Sequence, residues 1–455
     1  MVISTSKNTN ILDQEVLQDV VSGNHRMTPE QAEVLYHEMP LPELGRWADA
    51  RCRALHGDHL RTYIVDRNIN YTNICTAKCT FCAFRRDGHE DDAYTLEYEA
   101  LLQKVQEIVD IGGTQILMQG GMNPELPLDW YLDLLSLLRE RFPQVHVHAF
   151  SPPEVIEFVH FFNTPGSSLE DKIRFVLTEL QYAGLDSIPG GGGEIFAHAV
   201  REKIGLGKCN AEVWLTVMRV AHELGMNTSA TMMFGHIEGI ADRIHHMDLV
   251  RSWQDRSIAD FGLHGGGRYN AFISWPFQPD NNALGRVTEW QNSENDLFPG
   301  DVVARLDGTG TKADHPEFGR RLRLAGSSSY LRTQALSRLF LDNIYSIGSS
   351  WVTMGPAIGQ TALFYGANDL GSVMLEENVV SAAGTTWCLD EAKLCHMIRE
   401  AGFIPAKRDN RYDILTIHDG ADSPDRLVTD WSLSNNEQLV SHTEECSTVT
   451  LTVDQ

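Results

Sequence analysis

The chain has 455 residues, 42% of them hydrophobic, and carries 62 acidic side chains against 37 basic ones for a formal net charge of −25. That balance argues against a nucleic-acid backbone or an anionic membrane surface as partner, and no run of 18 apolar residues is present to span a bilayer. The N-terminus, Met1-Val-Ile-Ser-Thr-Ser-Lys7, lacks a hydrophobic signal segment and the eight cysteines form no paired framework, so a reducing cytoplasm is the expected setting.

Residues 1–60 are predicted to be a helical collar. Helices are expected at Asp13–Val21, after Thr28 with Pro29 in the first helical position, and over Leu41–His56. From Arg61 onward short strand-like runs alternate with amphipathic helices. Strands are predicted from Thr62, at Thr114–Met118, His146–Phe150, Asp186–Pro189, Asn227–Met233, Asn270–Trp275, Ser349–Thr353 and Asp369–Met374. Eight such strands, each linked to the next through a helix, imply an α/β fold: a (β/α)8 TIM-type barrel over residues 61–415, active at the C-terminal ends of its strands. Residues 287–317 are polar and turn-rich, an expected insertion. Residues 416–455, rich in Ser, Thr and acidic side chains, are an expected acidic, partly disordered C-terminal appendage.

The chemistry is concentrated after the first strand. Cys75, Cys79 and Cys82 fall within eight residues, with Phe81 just before the last and short polar spacers between. Structural zinc usually takes four protein ligands, whereas a 4Fe-4S cubane held by three cysteines keeps one iron open for chemistry. Three cysteines that merely pack are the competing reading. Gln119-Gly120-Gly121 ends the second strand and suits either close backbone approach to a ligand or a tight turn. His146 and His148 share one strand face, so they either face the lumen, to bond a substrate or move a proton, or are satisfied core histidines. Glu154, after Pro152 and Pro153, opens a helix and could serve there simply as a first-turn acid. The glycines from Gly190 to Gly193, Gly191 and Gly192 among them, imply a mobile loop or a backbone pressed against a ligand. Glu194 follows as a hydroxyl or ammonium acceptor, or as another helix-start acid.

These motifs carry a resemblance. The Cys-x3-Cys-x2-Cys spacing resembles the radical S-adenosylmethionine (SAM) superfamily. Asn70-Tyr-Thr-Asn-Ile-Cys75, Gln119-Gly-Gly-Met122, His148-Ala-Phe-Ser-Pro-Pro-Glu154, Gly184-Leu-Asp-Ser-Ile-Pro-Gly-Gly-Gly192, Ala230-Thr-Met-Met-Phe-Gly-His236, Trp275-Pro-Phe-Gln-Pro279, Glu376-Glu-Asn-Val-Val-Ser381 and Ala401-Gly-Phe-Ile-Pro-Ala-Lys-Arg-Asp409 together resemble the cyclic dehypoxanthinyl futalosine synthase family. The resemblance implies that Cys75, Cys79 and Cys82 hold a 4Fe-4S cluster whose open iron binds SAM. Phe81, Gln119, Gly120, Gly121, Gly191, Gly192 and Glu194 would then shape the SAM site. It implies hydrogen abstraction by a 5′-deoxyadenosyl radical from C4′ of dehypoxanthine futalosine, attack on the benzoate ring, and loss of an electron and a proton, in menaquinone biosynthesis. The proton acceptor stays open among His146, His148, Glu154 and Glu194. An external one-electron reductant is implied, and a homodimer is left open. Aminofutalosine synthase, the radical SAM parts of the deazaflavin chromophore synthase, and a non-catalytic Fe-S or zinc module are the alternatives.

Overall fold

The computed structural model describes residues 13–262, 265–286, 322, 324–385, 387–431, 438–442 and 445–449. Three helices lead the chain: α1 (Gln14–Ser22), α2 (Pro29–Glu38) and α3 (Leu41–His56). The start of α2 follows from its sequence. The Thr28 hydroxyl accepts the Gln31 amide hydrogen at 3.2 Å and the Gln31 side chain accepts that of Thr28 at 2.9 Å, a reciprocal capping box. Buried Leu17, Leu35 and Leu44 turn the three helices onto the larger body.

That body is a curled sheet of parallel strands wrapped in helices. In chain order it contains β1 (Leu60–Ile64), β2 (Asp66–Ile69), α4 (Tyr98–Asp110), β3 (Gln115–Met118), α5 (Leu128–Arg141), β4 (His146–Ala149), α6 (Pro152–Phe161) and α7 (Leu169–Ala183). It continues through β5 (Ser187–Ile188), α8 (His198–Ile204), α9 (Ala211–Glu223), β6 (Asn227–Phe234), α10 (Ile240–Phe261) and β7 (Tyr269–Pro276). After the undescribed stretch come α11 (Ser327–Phe340), β8 (Ser346–Gly348), α12 (Trp351–Met354), α13 (Pro356–Thr361), β9 (Asp369–Ser372), α14 (Glu391–Glu400), β10 (Ile404–Arg408) and β11 (Ile414–Ile417).

The strand order is β11-β10-β1-β9-β8-β7-β6-β5-β4-β3-β2. Only Val65 separates β1 from β2, and these two halves of one extended segment pair with opposite ends of the parallel run: β2 with β3, β1 with β9. The segment therefore closes the barrel. At its lower, N-terminal half the other edge of β1 takes β10 instead of β3, with Leu60 opposite Ile404 and Tyr63 opposite Lys407. The C-terminal strand thus fills a splayed seam, and Lys407 Nζ reaches the Gly112 carbonyl just before β3 at 2.8 Å. Main apolar packing lies between sheet and helices, around Leu135, Val176, Trp214, Met247 and Tyr269, which leaves the lumen free for polar side chains.

Two sequence expectations need revision or qualification. The expected strand Ser349–Thr353 is not formed: the strand here is β8, Ser346–Gly348, and Trp351–Met354 is a helical turn. Its aromatic and β-branched residues favour strands, but burying Trp351, whose indole donates to the Ser372 carbonyl at 3.2 Å, and the left-handed Gly355 (φ +83°) decide otherwise. Strand β11 straddles residue 415, where the barrel unit was expected to end, and Asp425 beyond it accepts from Arg399 of α14 at 2.6 Å. Strands Gln438–His442 and Glu445–Val449 form an antiparallel hairpin. The expected insertion at 287–317 lies outside the described residues. Among the described residues no helix is long and apolar enough to cross a membrane.

Candidate active site

Residues 70–86 leave β2 at the C-terminal end of the barrel and are held there by backbone hydrogen bonds from three directions. Cys75 N–H donates to the Arg86 carbonyl (3.1 Å), Thr76 N–H to Met122 (3.0 Å), and Lys78 and Thr80 to Leu206 and Ile204 (2.8 and 2.9 Å). Cys75, Cys79 and Cys82 line a cavity of about 460 Å³ that runs down the lumen from this loop to Arg408, Asn410 and Tyr412. Burial pushes the Cys79 thiol up to about 12.

The double glycine after β3 is required by this loop. A Cβ on Gly121 would sit 2.1 Å from the Ile74 carbonyl oxygen and 2.9 Å from Cys75 Cβ, and one on Gly120 would meet the Tyr71 ring at 2.5 Å. Glu154 ties the same parts together. Its Oε1 accepts from the Tyr71 hydroxyl (2.7 Å) and the Gly120 amide (3.1 Å), its Oε2 from the amide and hydroxyl of Ser151 (2.8 and 2.6 Å). Burial raises its pKa against the pull of these four donors. The first-turn acid is present, in a capping box at the start of α6, and it is also a buried brace for the cysteine loop.

The four glycines are ordered. The Gly190 carbonyl accepts from Thr231 Oγ1 (2.6 Å), Gly191 from Trp214 Nε1 (3.0 Å), and Gly192 and Gly193 from the two Arg201 Nη atoms (both 2.8 Å). Every carbonyl of the run is therefore spoken for, as buried backbone demands. Side chains are excluded on the inside: a Cβ on Gly191 would lie 2.2 Å from Gln119 Nε2, and one on Gly193 would lie 2.7 Å from the Thr231 carbonyl. Glu194 does not start a helix, since α8 begins at His198. It sits at φ +45° with its carboxylate 3.0 Å from Lys208 Nζ, and that ammonium lies 5.1 Å from the centre of the Phe81 ring. Burial alone would lower the Lys208 pKa, but attraction to Cys79 and Glu194 raises it overall. Lys208 was not among the sequence candidates; a lysine after a glycine turn carries no signal of its own.

His148 lines the cavity, whereas His146 does not. Both converge on the Ser187 hydroxyl, His146 through Nε2 at 2.7 Å and His148 through Nδ1 at 2.6 Å. Burial holds His148 down to about 3 and lowers His146 as well, so both rings are neutral near pH 7. Below them the lumen is polar. Gln115 bonds Asp66 (2.7 Å), Asn410 bonds Gln115 (2.5 Å), and Arg408 clamps both oxygens of Asp369 (2.6 and 2.9 Å) while stacking on Tyr412. In the motif segments Ala230–His236 and Trp275–Pro279, Trp275 lines the cavity while Met232, Met233 and Phe277 are buried in the core.

No three His, Cys, Asp or Glu side chains among the described residues converge as one metal ion would need. A cubane takes one thiolate per iron, and three thiols facing one end of a cavity, with a glycine pair leaving room beside them and Lys208 near Cys79, are the donor set that such a larger group fits.

A family model described as the Radical SAM superfamily matches residues 69–250, and one described as the CofH/MqnC C-terminal region matches residues 318–420. The crystal structure of methylornithine synthase superposes with a TM-score of 0.57 at 14% identity, over 86% of this chain and 97% of that one. The FeFe-hydrogenase maturase HydG from Carboxydothermus hydrogenoformans gives 0.58 at 15%, over 88% and 80%. At such identities these two speak for the barrel fold alone. In sequence, the chain is 35% identical to aminodeoxyfutalosine synthase of Thermus thermophilus over 406 residues, 89% of this chain and 96% of that protein. It is 40% identical over 400 residues to cyclic dehypoxanthine futalosine synthase of Halalkalibacterium halodurans, 88% and 94%, and 35% identical over 438 residues to that of Streptomyces coelicolor, 95% and 97%. With relatives of this identity matched over nearly their whole length, and both family models falling on segments that wall the cavity, the chain belongs to the radical SAM family of cyclic dehypoxanthine futalosine synthases.

Proposed function

We propose that this enzyme cyclises dehypoxanthine futalosine, with Cys75, Cys79 and Cys82 holding a 4Fe-4S cluster and SAM bound beside it. The observation that carries the reading is one continuous cavity with three thiols at its upper end and hydrogen-bonding side chains below, in a chain 40% identical to a synthase of that name. When bound, cluster and SAM supply the radical that takes hydrogen from the sugar C4′ and so starts attack on the benzoate ring.

The chain's own residues bind, orient and shield. Lys208 offers an ammonium and Glu194 a carboxylate at the level of Phe81, complementary to the charged ends of an amino acid moiety. Gln119, Gly120, Gly121, Gly191 and Gly192 form a wall without bulk against which a nucleoside can lie. Asp66, Asn68, Gln115 and Asn270 face the cavity lower down, where sugar hydroxyls can be bonded. Arg408, Asn410 and Tyr412 line the lower end, where they and the bound substrate would keep a reactive carbon centre from water. An external one-electron reductant and a reducing cytoplasm complete the proposal.

Anaerobic incubation of the reconstituted protein with SAM, reductant and dehypoxanthine futalosine is expected to give 5′-deoxyadenosine and cyclised product together. Absence of 5′-deoxyadenosine, or its appearance without cyclised product, would overturn the cyclisation reading. Cys79→Ala is expected to lose the iron chromophore and Cys209→Ala to keep it; iron retained by the first variant contradicts the ligand assignment.

A further inference from the structure

The proposed cyclisation must release a proton inside the barrel, and on the barrel wall the Ser187 hydroxyl bridges two histidines. Strand β5 is only two residues long, Ser187 and Ile188. Ser187 Oγ lies 2.6 Å from Nδ1 of His148, 2.7 Å from Nε2 of His146 and 3.5 Å from Oδ1 of Asn410. His148 faces the cavity; His146, half-buried at the first position of β4, is outside its lining. We infer that His148, Ser187 and His146 form a proton exit relay, in which His148 takes the proton released on rearomatisation and Ser187 passes one on to His146. The inference rests on the cyclisation reading and goes beyond it by naming the acceptor and its route.

Hydrogen-bond bookkeeping sets the polarity. A hydroxyl carries one hydrogen and two lone pairs, and its hydrogen has three acceptors in reach, the two rings and, at the longer 3.5 Å, Asn410 Oδ1; the relay requires one ring to donate to Ser187 and the other to accept from it. With His148 donating from Nδ1–H and His146 accepting at Nε2, both short contacts are satisfied with both rings neutral. Nε2 of His148 is then the free acceptor on a ring that lines the cavity. In the step, the C–H bond at the newly joined ring carbon breaks and its proton goes to His148 Nε2. The Nδ1 proton of His148 passes to Ser187, and the hydroxyl proton of Ser187 to His146. The unpaired electron goes to a one-electron acceptor of the iron–sulfur class, and the ring is left aromatic and neutral.

A relay also answers an electrostatic difficulty. His148 is buried among groups hostile to a second positive charge, with His146 and the Arg408 guanidinium beside it, so a proton resting there is disfavoured. Burial disfavours charge on His146 too, but there Asp186 and Asp409 favour the charged ring, against Arg411 and Arg139, and the residue is partly open to solvent. Two carboxylates thus attend the far end of the relay, and the Arg408 guanidinium the near one. Glu154, by contrast, has both carboxylate oxygens committed to four donors.

The test is the ratio of cyclised product to 5′-deoxyadenosine under anaerobic turnover. Ser187→Ala is expected to lower that ratio by about tenfold or more, with Ser187→Thr, which keeps a hydroxyl, restoring most of it. His146→Gln keeps a hydrogen-bonding side chain that cannot carry a proton; it is expected to lower the ratio too and to abolish its solvent-deuterium sensitivity. An unchanged ratio in either Ser187→Ala or His146→Gln overturns the relay, as does a fall in both products together, which would mark a purely structural strand contact. If Ser187→Ala does not fold, His146→Gln at the half-buried end decides alone. Failure of the unaltered protein to cyclise anything would instead overturn the reading on which the relay rests.

Discussion

The Tyr71 hydroxyl donates to Glu154 Oε1 at 2.7 Å, and the same oxygen accepts the Gly120 amide hydrogen at 3.1 Å. One buried carboxylate thus joins the root of the cysteine loop, the glycine turn after β3 and the first turn of α6. Tyr71→Phe removes one of four donors and is expected to cost about 1–3 kcal/mol, while Glu154→Ala strands several buried donors and costs more. Urea unfolding of the iron-free protein checks the order; equal stability of the two variants would deny the carboxylate its bracing role.

Glycines separate structural from site effects. Gly121→Ala would drive a methyl into the Ile74 carbonyl and towards Cys75, so reconstituted iron absorbance is expected to fall severalfold or vanish. Gly225→Ala meets nothing within 4 Å and has only its left-handed φ of +82° to oppose it, a cost of about 1–2 kcal/mol. Iron content after identical reconstitution measures the contrast, with normal loading expected for Gly225→Ala.

Acid sensitivity is built into the buried histidines. His222 is fully buried between the hydroxyls of Ser257 and Thr228, each at 2.8 Å, and burial lowers its pKa from 6.5 to about 3. Below pH 6.5 the unfolded chain therefore binds a proton that the folded chain refuses. The stability is fully present above pH 6.5 and is lost as pH falls towards about 3, by about 1.4 kcal/mol per pH unit for each such site. His222→Gln is expected to flatten the pH dependence of unfolding free energy between pH 6 and 4 by about one proton.

The floor of the barrel is a buried ion pair. Arg408 of β10 donates Nε and Nη2 to the two oxygens of Asp369 in β9, and Asp369 also accepts from Thr62 of β1. Arg408→Met leaves that carboxylate buried without its cation, a loss of about 3–5 kcal/mol by chemical denaturation. Adding Asp369→Leu is expected to recover part of the loss; a double variant less stable than Arg408→Met alone would contradict the pairing argument.

Much of the barrel could be read in advance because its evidence is local. Strands and helices alternate with distinct periods, the α2 cap is written in Thr28, Pro29 and Gln31, and three cysteines in eight residues announce themselves. Ser349–Thr353 misled because local strand preference gave way to the burial of Trp351. The site's supporting residues were hidden for a different reason. Lys208 reaches Glu194 from 14 residues away, Glu154 reaches Tyr71 across 83, and Asn410 reaches Ser187 across 223. Such partners are chosen by the closure of the barrel, and nothing in their flanking residues marks them. The Gly190–Gly193 run could be read either as mobile or as pressed against neighbours; only the partners of its four carbonyls, Thr231, Trp214 and Arg201, distinguish the two.

The most direct test of the central claim follows one atom. Turnover of dehypoxanthine futalosine deuterated at C4′, with SAM and reductant under anaerobic conditions, is expected to place that deuterium in 5′-deoxyadenosine while cyclised product lacking it accumulates. Cyclised product that keeps the C4′ deuterium, or deoxyadenosine formed without any of the label, would contradict the account.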